Sequence, residues 1–394
     1  MHIDRLSLRN FRNYARLDLP LTSGATLFFG PNAAGKTSIL EAVYILAMSR
    51  SPRTHTDREL IYWQAEQSPE IPQTARVSGT IQRHHGPKAL DVIIQARGNA
   101  TDPGSAGGTA TKVLRVDQKP VKASELLGFL RVVFFAPTDL ELLTGAPSER
   151  RRWLDAMLSQ LDYPYLQALN AYQKVLLQRN SLLRKWREQG RTPRNYTTEL
   201  AFWDEQIATH ASIIMQRRYD ACQALTTLSQ PIYQSIAQNT TPLTICYAPN
   251  IDVAMTPQTL TSTILGYMQQ HHGEDIARGQ TTCGPHRDDV SVVDGSIDLG
   301  TFGSRGQQRS GVMAIKLAEV ALMHQRTGEL PVLLLDDVLS ELDVHRRHQL
   351  LACMANPQQQ TLLTATSIDD FDAAFLRHST LVRIDNGHAF ALKQ

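Results

Sequence analysis

The chain has 394 residues, enough to bury a large core in two lobes. Hydrophobic residues make up 42% and charged residues 20%, an ordinary soluble balance, and no apolar run approaches the ~20 residues of a membrane span. The formal net charge of +2 does not mark a nucleic-acid partner, so any basic surface must come from local clustering.

Polar and apolar residues alternate over 3–19, which predicts a half-buried strand pair. The opening MHIDRLSLRNF is charged and alternating, unlike a signal peptide. Residues 25–29 form a short apolar strand ending in Gly30, and Ile39, Leu40, Val43, Leu46 and Ala47 then fall on one broad helical face. Residues 76–81 and 90–95 read as further strands, and the Gly/Thr/Ala/Asn-rich stretch 96–111 as a solvated hairpin tip. From 148 to about 237 glycine becomes rare and Leu154, Met157, Leu158 and Leu161 repeat with helical spacing; the patch 190–194 is the turn between two long helices. Strand character returns at 243–247, 330–335 and 361–364, and 381–392 is a small hairpin. The expected architecture is an α/β lobe built from both ends of the chain (1–147 and 273–394) with a mostly helical insert at 148–272. Cys222, Cys246, Cys283 and Cys353 are far apart, with no CxxC pair and no zinc spacing, which fits a reducing compartment and a cytoplasmic protein.

Gly30-Pro31-Asn32-Ala33-Ala34-Gly35-Lys36-Thr37 matches the phosphate-loop pattern GxxxxGK[ST] in full, between an apolar strand and a helix. Backbone N–H groups of such a loop and the helix N-terminus present partial positive charge to phosphate oxygens. Lys36 is expected to reach the β- and γ-phosphates of ATP, and the Thr37 hydroxyl to bind Mg²⁺. Farther on, Val332 to Leu335 is an apolar strand ending in Asp336 and Asp337, as in a Walker B motif. Asp336 is expected to hold Mg²⁺, directly or through water, and Asp337 to orient or deprotonate the attacking water.

Other segments carry a resemblance. Ser304-Arg305-Gly306-Gln307-Gln308 precedes a helix shortly before the Walker B strand and resembles the signature motif of ABC ATPases; Ser340-Glu341-Leu342-Asp343 stands where those enzymes have a D-loop. Leu8 to Tyr14 looks like the opening strand of SMC-type heads. With Pro137-Thr138-Asp139-Leu140, Arg150 to Asp155 and Gly284-Pro285-His286-Arg287-Asp288-Asp289, the order of motifs closely resembles the RecF family over nearly the whole chain. The resemblance implies an ABC-ATPase head of the SMC type with a helical lid, in which two protomers sandwich two nucleotides. Carried over, Ser304, Gly306 and Gln307 would cap the γ-phosphate held on the other protomer, Asp343 would lie at the dimer seam, and Arg12 and Asn13 would lie near the phosphates. There are departures: Asp337 replaces the common catalytic glutamate, Thr364-Ala365-Thr366 follows the next strand where transporters carry a switch histidine, and only Asp139 stands in the Q-loop place. They point to slow hydrolysis that serves as a switch.

The resemblance further implies an ATP-dependent homodimer that binds gapped or single-strand/double-strand junction DNA in recombinational repair. It would act with RecR and RecO to help load RecA. Arg150, Arg151, Arg152, Arg184, Lys185 and Arg187 are the candidate DNA contacts, against the alternative of a solvated helix face with Glu149 and Glu188 as local partners. No recognition helix, zinc finger or base-stacking box is present, so sequence-specific reading is not expected. His286 and Arg287 either serve function or tie a loop to the following Asp288 and Asp289. The alternative function is the nucleotide-binding subunit of an ABC transporter, which usually carries a fuller LSGGQ signature and the switch histidine.

Overall fold

The alternating start of the chain forms two antiparallel strands, β1 (His2–Phe11) and β2 (Tyr14–Pro20), with Phe11 opposite Tyr14 across a two-residue turn. Leu6 and Leu8 are fully buried with the period of two that a strand gives, and Ile3 and Phe11, also fully buried, stand out of that phase, Ile3 across a register shift between Ile3 and Arg5. The computed structural model describes residues 1–66, 73–96, 110–238, 240–251, 257–354, 356, 358–369 and 371–392. The chain divides into two units, Met1–Asp139 with Glu319–Gln394, and Leu140–Ala318.

In the first unit, β3 (Ala25–Phe29) leads through the phosphate loop into α1 (Lys36–Met48). There follow β4 (Thr74–Gln82), β5 (Lys88–Ala96), β6 (Ala110–Val116), β7 (Lys119–Val121), the short α2 (Ala123–Leu126) and β8 (Val132–Phe135). The antiparallel sheet runs β2-β1-β4-β5-β6-β7. The hairpin tip expected at 96–111 falls largely on 97–109, outside the described residues.

The second unit holds α3 (Glu141–Thr144), α4 (Pro147–Leu161), α5 (Tyr163–Glu188), α6 (Tyr196–Ala237), β9 (Leu243–Ala248), α7 (Pro257–Gln270), α8 (His272–Arg278), β10 (Asp289–Asp294) and β11 (Ile297–Asp298), and α9 (Arg305–Thr327) starts in it. The expected insert, 148–272, lies within this unit, which also takes in the three-stranded sheet β11-β10-β9. The fully buried Arg179 joins α5 to Asp204 at 2.9 Å and to Asp275 at 2.6 Å. Arg218 on α6 reaches Asp155 and the Pro285 carbonyl, each at 2.7 Å. His286 accepts from the Tyr172 hydroxyl at 2.6 Å through Nδ1, because its Nε2 must donate to the Thr281 carbonyl at 3.1 Å. Asp288 takes the Tyr247 hydroxyl and the Asn250 N–H. His286 therefore ties the 284–289 segment to α5 and to the Thr281 carbonyl, partners other than its neighbours Asp288 and Asp289.

The remaining elements return to the first unit: β12 (Val332–Asp336), α10 (Val344–Met354), β13 (Thr361–Ala365), α11 (Ala373–Arg377), β14 (Thr380–Asp385) and β15 (His388–Ala391). The second sheet runs β15-β14-β3-β13-β12-β8 and is parallel from β14 to β8. Helix α1 packs against β4 and β5 of one sheet and β12 and β13 of the other. That placement explains a departure from the single apolar face expected of it. Ala42 and Ile45 are fully buried as well, since a helix between two sheets is apolar nearly all round.

Candidate nucleotide site

Parallel strands bring their carboxyl ends to one edge, and ligands of such sheets bind there. Register places Phe28 beside Thr364 and Thr364 beside Asp336 on three neighbouring strands, so the phosphate loop after β3 opens next to both carboxylates. The loop needs its glycines. Gly30 has φ 145 and Gly35 φ 113, and a Cβ at Gly35 would come within 2.7 Å of the Tyr14 hydroxyl. The β1–β2 turn holds the loop from below, where Asn13 Nδ2 donates to the Ala34 carbonyl at 2.9 Å and Tyr14 to that of Gly35 at 3.0 Å. Asn13 Oδ1 is buried with no partner.

Lys36 Nζ donates to the carbonyls of Gly30 at 2.7 Å and Pro31 at 2.8 Å, folded back along the loop. Burial lowers its pKa, while the charges of Asp337 and Asp336 act in the opposite sense. The Thr37 hydroxyl meets Asp336 Oδ1 at 2.7 Å, and the Thr364 hydroxyl donates to the same oxygen at 3.0 Å. Thr364 also accepts the Asp337 N–H at 2.9 Å. Asp337 itself has φ 53, a left-handed conformation that aspartate adopts more readily than most residues. A cleft of about 550 Å³ opens above these groups, lined by Asn32, Ala33, Gly35, Lys36, Thr37, Asp337 and Thr364 among others.

These residues fit a nucleotide and its cation. The Thr37 hydroxyl and Asp336 carboxylate are the oxygen pair that would hold Mg²⁺, and no cluster of three His, Cys, Asp or Glu occurs among the described residues. The ion would complete its shell from water and phosphate oxygens, as Mg²⁺ ordinarily does.

Comparison with known proteins places this site in a family. The RecF/RecN/SMC N terminal domain family matches residues 2–387. The DNA replication and repair protein RecF of Chloroflexus aurantiacus is 49% identical over 99% of this chain and 100% of its own length. The protein of the same name from Halalkalibacterium halodurans is 36% identical over 98% of each chain. The chain belongs to the RecF family. A solved structure of the recombination mediator protein RecF-ATP in the RecFOR pathway superposes with a TM-score of 0.85 at 28% identity, covering 100% of this chain and 98% of that one. An Smc head bound to the C-winged helix domain of ScpA, at 12% identity, TM-score 0.53 and coverage of 100% and 97%, shares the fold. The α/β head with inserted helices is thus an SMC-type ABC ATPase fold.

Within that RecF fold, the remaining candidate residues fall at separate places. Arg12 lines the cleft, but its guanidinium is engaged by the fully buried Glu41 in a two-bond pair of 2.7 and 2.8 Å. Ser304, Gly306 and Gln307 belong to the second unit, at the start of α9. Ser304 and Gln307 form a reciprocal capping box: Gln307 Oε1 accepts the Ser304 N–H at 3.0 Å, and Ser304 Oγ the Gln307 N–H at 3.3 Å. Asp343 accepts the Arg346 N–H at 2.9 Å at the start of α10. Asp139 is not among the cleft residues and accepts the Ala136 N–H at 2.9 Å in its own turn.

The arginines that open the insert are engaged inside the second unit. Arg150 grips Asp289 with bonds of 2.7 and 2.9 Å, Arg151 donates to the Asp288 carbonyl at 2.6 Å, and Arg152 pairs with Glu149 at 2.9 Å. Arg187 donates to the Arg278 carbonyl at 2.8 Å, while Arg184 and Lys185 are exposed on α5.

Arg53, Glu59, Ile61 and Trp63 complete the cleft wall and went unnoticed in the sequence. Their segment is stitched to the end of β1 by Arg12 N–H to Leu60 O at 2.9 Å, Tyr62 N–H to Asn10 O at 2.8 Å and Trp63 N–H to Arg12 O at 3.3 Å. The Trp63 ring remains 57% exposed at the cleft, an aromatic face without a core to fill.

Proposed function

We propose that this RecF-family chain binds ATP and Mg²⁺ in the cleft and uses them to switch its hold on DNA in recombinational repair and replication restart. The nucleotide's phosphates lie on the loop 30–37, where Lys36 exchanges the carbonyls of Gly30 and Pro31 for phosphate oxygens. Thr37 and Asp336 would hold Mg²⁺, which would supply positive charge against the phosphates. Asp337 orients the attacking water and accepts its proton, and Thr364 fixes the Asp336 carboxylate and the Asp337 backbone from beneath. Trp63 offers its ring to the base. The shorter Asp337 and the absence of a histidine at Thr364 favour slow turnover.

ATP joins two protomers, with Ser304, Gly306 and Gln307 of one completing the site of the other, and hydrolysis releases them. The DNA is gapped or carries a single-strand/double-strand junction, and RecR and RecO act with this protein to help load RecA. The observation that carries this reading is an intact phosphate loop facing Asp336 and Asp337 in a chain alike to RecF from end to end. The relatives named above are DNA replication and repair proteins, which leaves the transporter reading without support.

The test is ATP hydrolysis with and without gapped duplex DNA. Stimulation by the gapped DNA beyond that by an intact duplex supports the proposal. Indifference to any DNA would sink it.

A further inference from the structure

The antiparallel sheet buries one face and turns the other outward, as such sheets do. The outward face carries an arrangement of arginines that costs stability. Register sets Arg16 of β2 directly opposite Arg9 of β1, and Arg9 directly opposite Arg76 of β4. Three like charges thus form a row across three adjacent strands, spanning about 10 Å. Directly opposed like charges are destabilising in a sheet. These side chains are 70%, 41% and 49% exposed, so their charges reach solvent.

The counter-charges do not match the arginines. Asp18 alone serves Arg9 at 3.4 Å, Arg16 at 3.4 Å and Arg5 at 3.7 Å, while also accepting the Ser7 hydroxyl at 2.6 Å. The Ser7 bond, and then the surrounding arginines, hold its carboxyl below the usual range, so it is already ionised and still shared. Asp91 takes Arg76 at 2.8 Å and the Ser78 hydroxyl at 2.5 Å, and Arg115 stands opposite it on β6. Five arginines face two carboxylates here, in a chain whose formal net charge is only +2.

A groove of about 600 Å³ runs over this face, lined by Arg5, Arg76 and Arg115 together with the hydroxyls of Ser7, Ser78 and Thr80. Guanidinium and hydroxyl donors on a flat, regularly spaced surface suit a repeating phosphate chain. No aromatic ring lines the groove, so nothing there reads bases.

We propose that this outer sheet face, centred on the row Arg16–Arg9–Arg76, holds the phosphate backbone of a nucleic acid. The assignment rests on the DNA-binding reading above and moves the contact away from Arg150 and Arg151, whose guanidinium groups are held by Asp289 and the Asp288 carbonyl.

The test uses the full-length protein with ATP and two fluorescent oligonucleotides of equal length, one single-stranded and one duplex. Binding is followed by anisotropy across a salt titration. The variant Arg9→Gln/Arg16→Gln/Arg76→Gln is expected to lose at least tenfold in affinity. Its salt slope should flatten by about 2 to 3, at roughly 0.9 per duplex phosphate contact and 0.7 per single-strand contact. The arm with the larger loss shows which form the face holds. ATP binding should be unchanged, and the Arg9→Gln/Arg16→Gln pair, which leaves the Arg76–Asp91 bond in place, should keep the wild-type unfolding midpoint or raise it, because like charges no longer stand opposed. Equal slopes and affinities for variant and wild type would remove this face from the footprint. So would loss of poly-L-glutamate binding with DNA binding intact, which would mark an acidic protein as the partner. Wild-type protein that binds neither oligonucleotide would instead overturn the DNA-binding reading itself.

Discussion

Replacing Thr364 by valine removes one hydroxyl from beneath the cleft and leaves the side-chain shape nearly unchanged. That hydroxyl accepts the Asp337 N–H at 2.9 Å and donates to Asp336 Oδ1 at 3.0 Å. Thr364 is 2% exposed, so water has little room to stand in. Stranding a buried N–H costs about 1–3 kcal/mol. Asp336 also loses one charge-assisted bond, worth about 1.5–3 kcal/mol alone and less here because Thr37 still donates to the same oxygen. Together Thr364→Val should destabilise the protein by about 2–4 kcal/mol, read from urea unfolding. The same change loosens Asp337, whose left-handed backbone this bond pins. Single-turnover hydrolysis should slow by about 10- to 100-fold, the equivalent of about 1.4–2.8 kcal/mol, with ATP affinity changed far less. Thr364→Ser keeps both bonds and should behave as wild type. A valine variant with wild-type stability and turnover, or a serine variant as impaired as valine, would refute the reasoning.

Two further outcomes follow from other parts of the molecule. Trp63→Ala should weaken ATP binding about tenfold, within the range of base–aromatic stacking, yet leave inorganic tripolyphosphate binding intact; equal loss of both would remove the ring from base recognition. Burial holds the His286 pKa near 4, below the ordinary value of 6.5. The unfolded chain therefore takes up that proton first on acidification. The contribution is fully present above pH 6.5 and is lost as pH falls toward 4, by up to about 3 kcal/mol. Unfolding free energies measured from pH 7 to 4 should fall less steeply for His286→Gln than for wild type, and parallel curves would contradict the assignment.

What the sequence made legible was mostly local. The phosphate loop, its flanking strand and helix, and the apolar strand before Asp336 and Asp337 each follow from residues adjacent in the chain. The turn at 190–194 between α5 and α6 was readable for the same reason. Packing at long range was not. The burial of α1 on all sides follows from its place between two sheets, which periodicity cannot report. Glu41, an acid inside the apolar run of α1, was a signal that a buried cation must meet it, and Arg12 does so from 29 residues away. Arg150 meets Asp289 across 139 residues, so its engagement could not be read from the helix that carries it. Ser304 and Gln307 had the spacing of a capping box in plain view. The wall formed by Ile61 and Trp63 lies between short 3₁₀ turns and carries no motif, and its stitching to β1 brings it to the cleft. The arginine row was half visible, since a two-residue turn pairs Arg9 with Arg16, whereas Arg76 joins it through a pairing of strands that are not consecutive.

The proposed function requires ATP to bring two copies of the chain together. Asp337→Asn is the suitable variant, because asparagine tolerates the left-handed backbone at φ 53 while removing the carboxylate proposed to accept the proton from water. Sedimentation velocity of this variant with saturating ATP and Mg²⁺ should show a dimer that reverts to monomer when the nucleotide is removed or Lys36→Ala is added. A variant that remains monomeric at saturating ATP would contradict the shared nucleotide site.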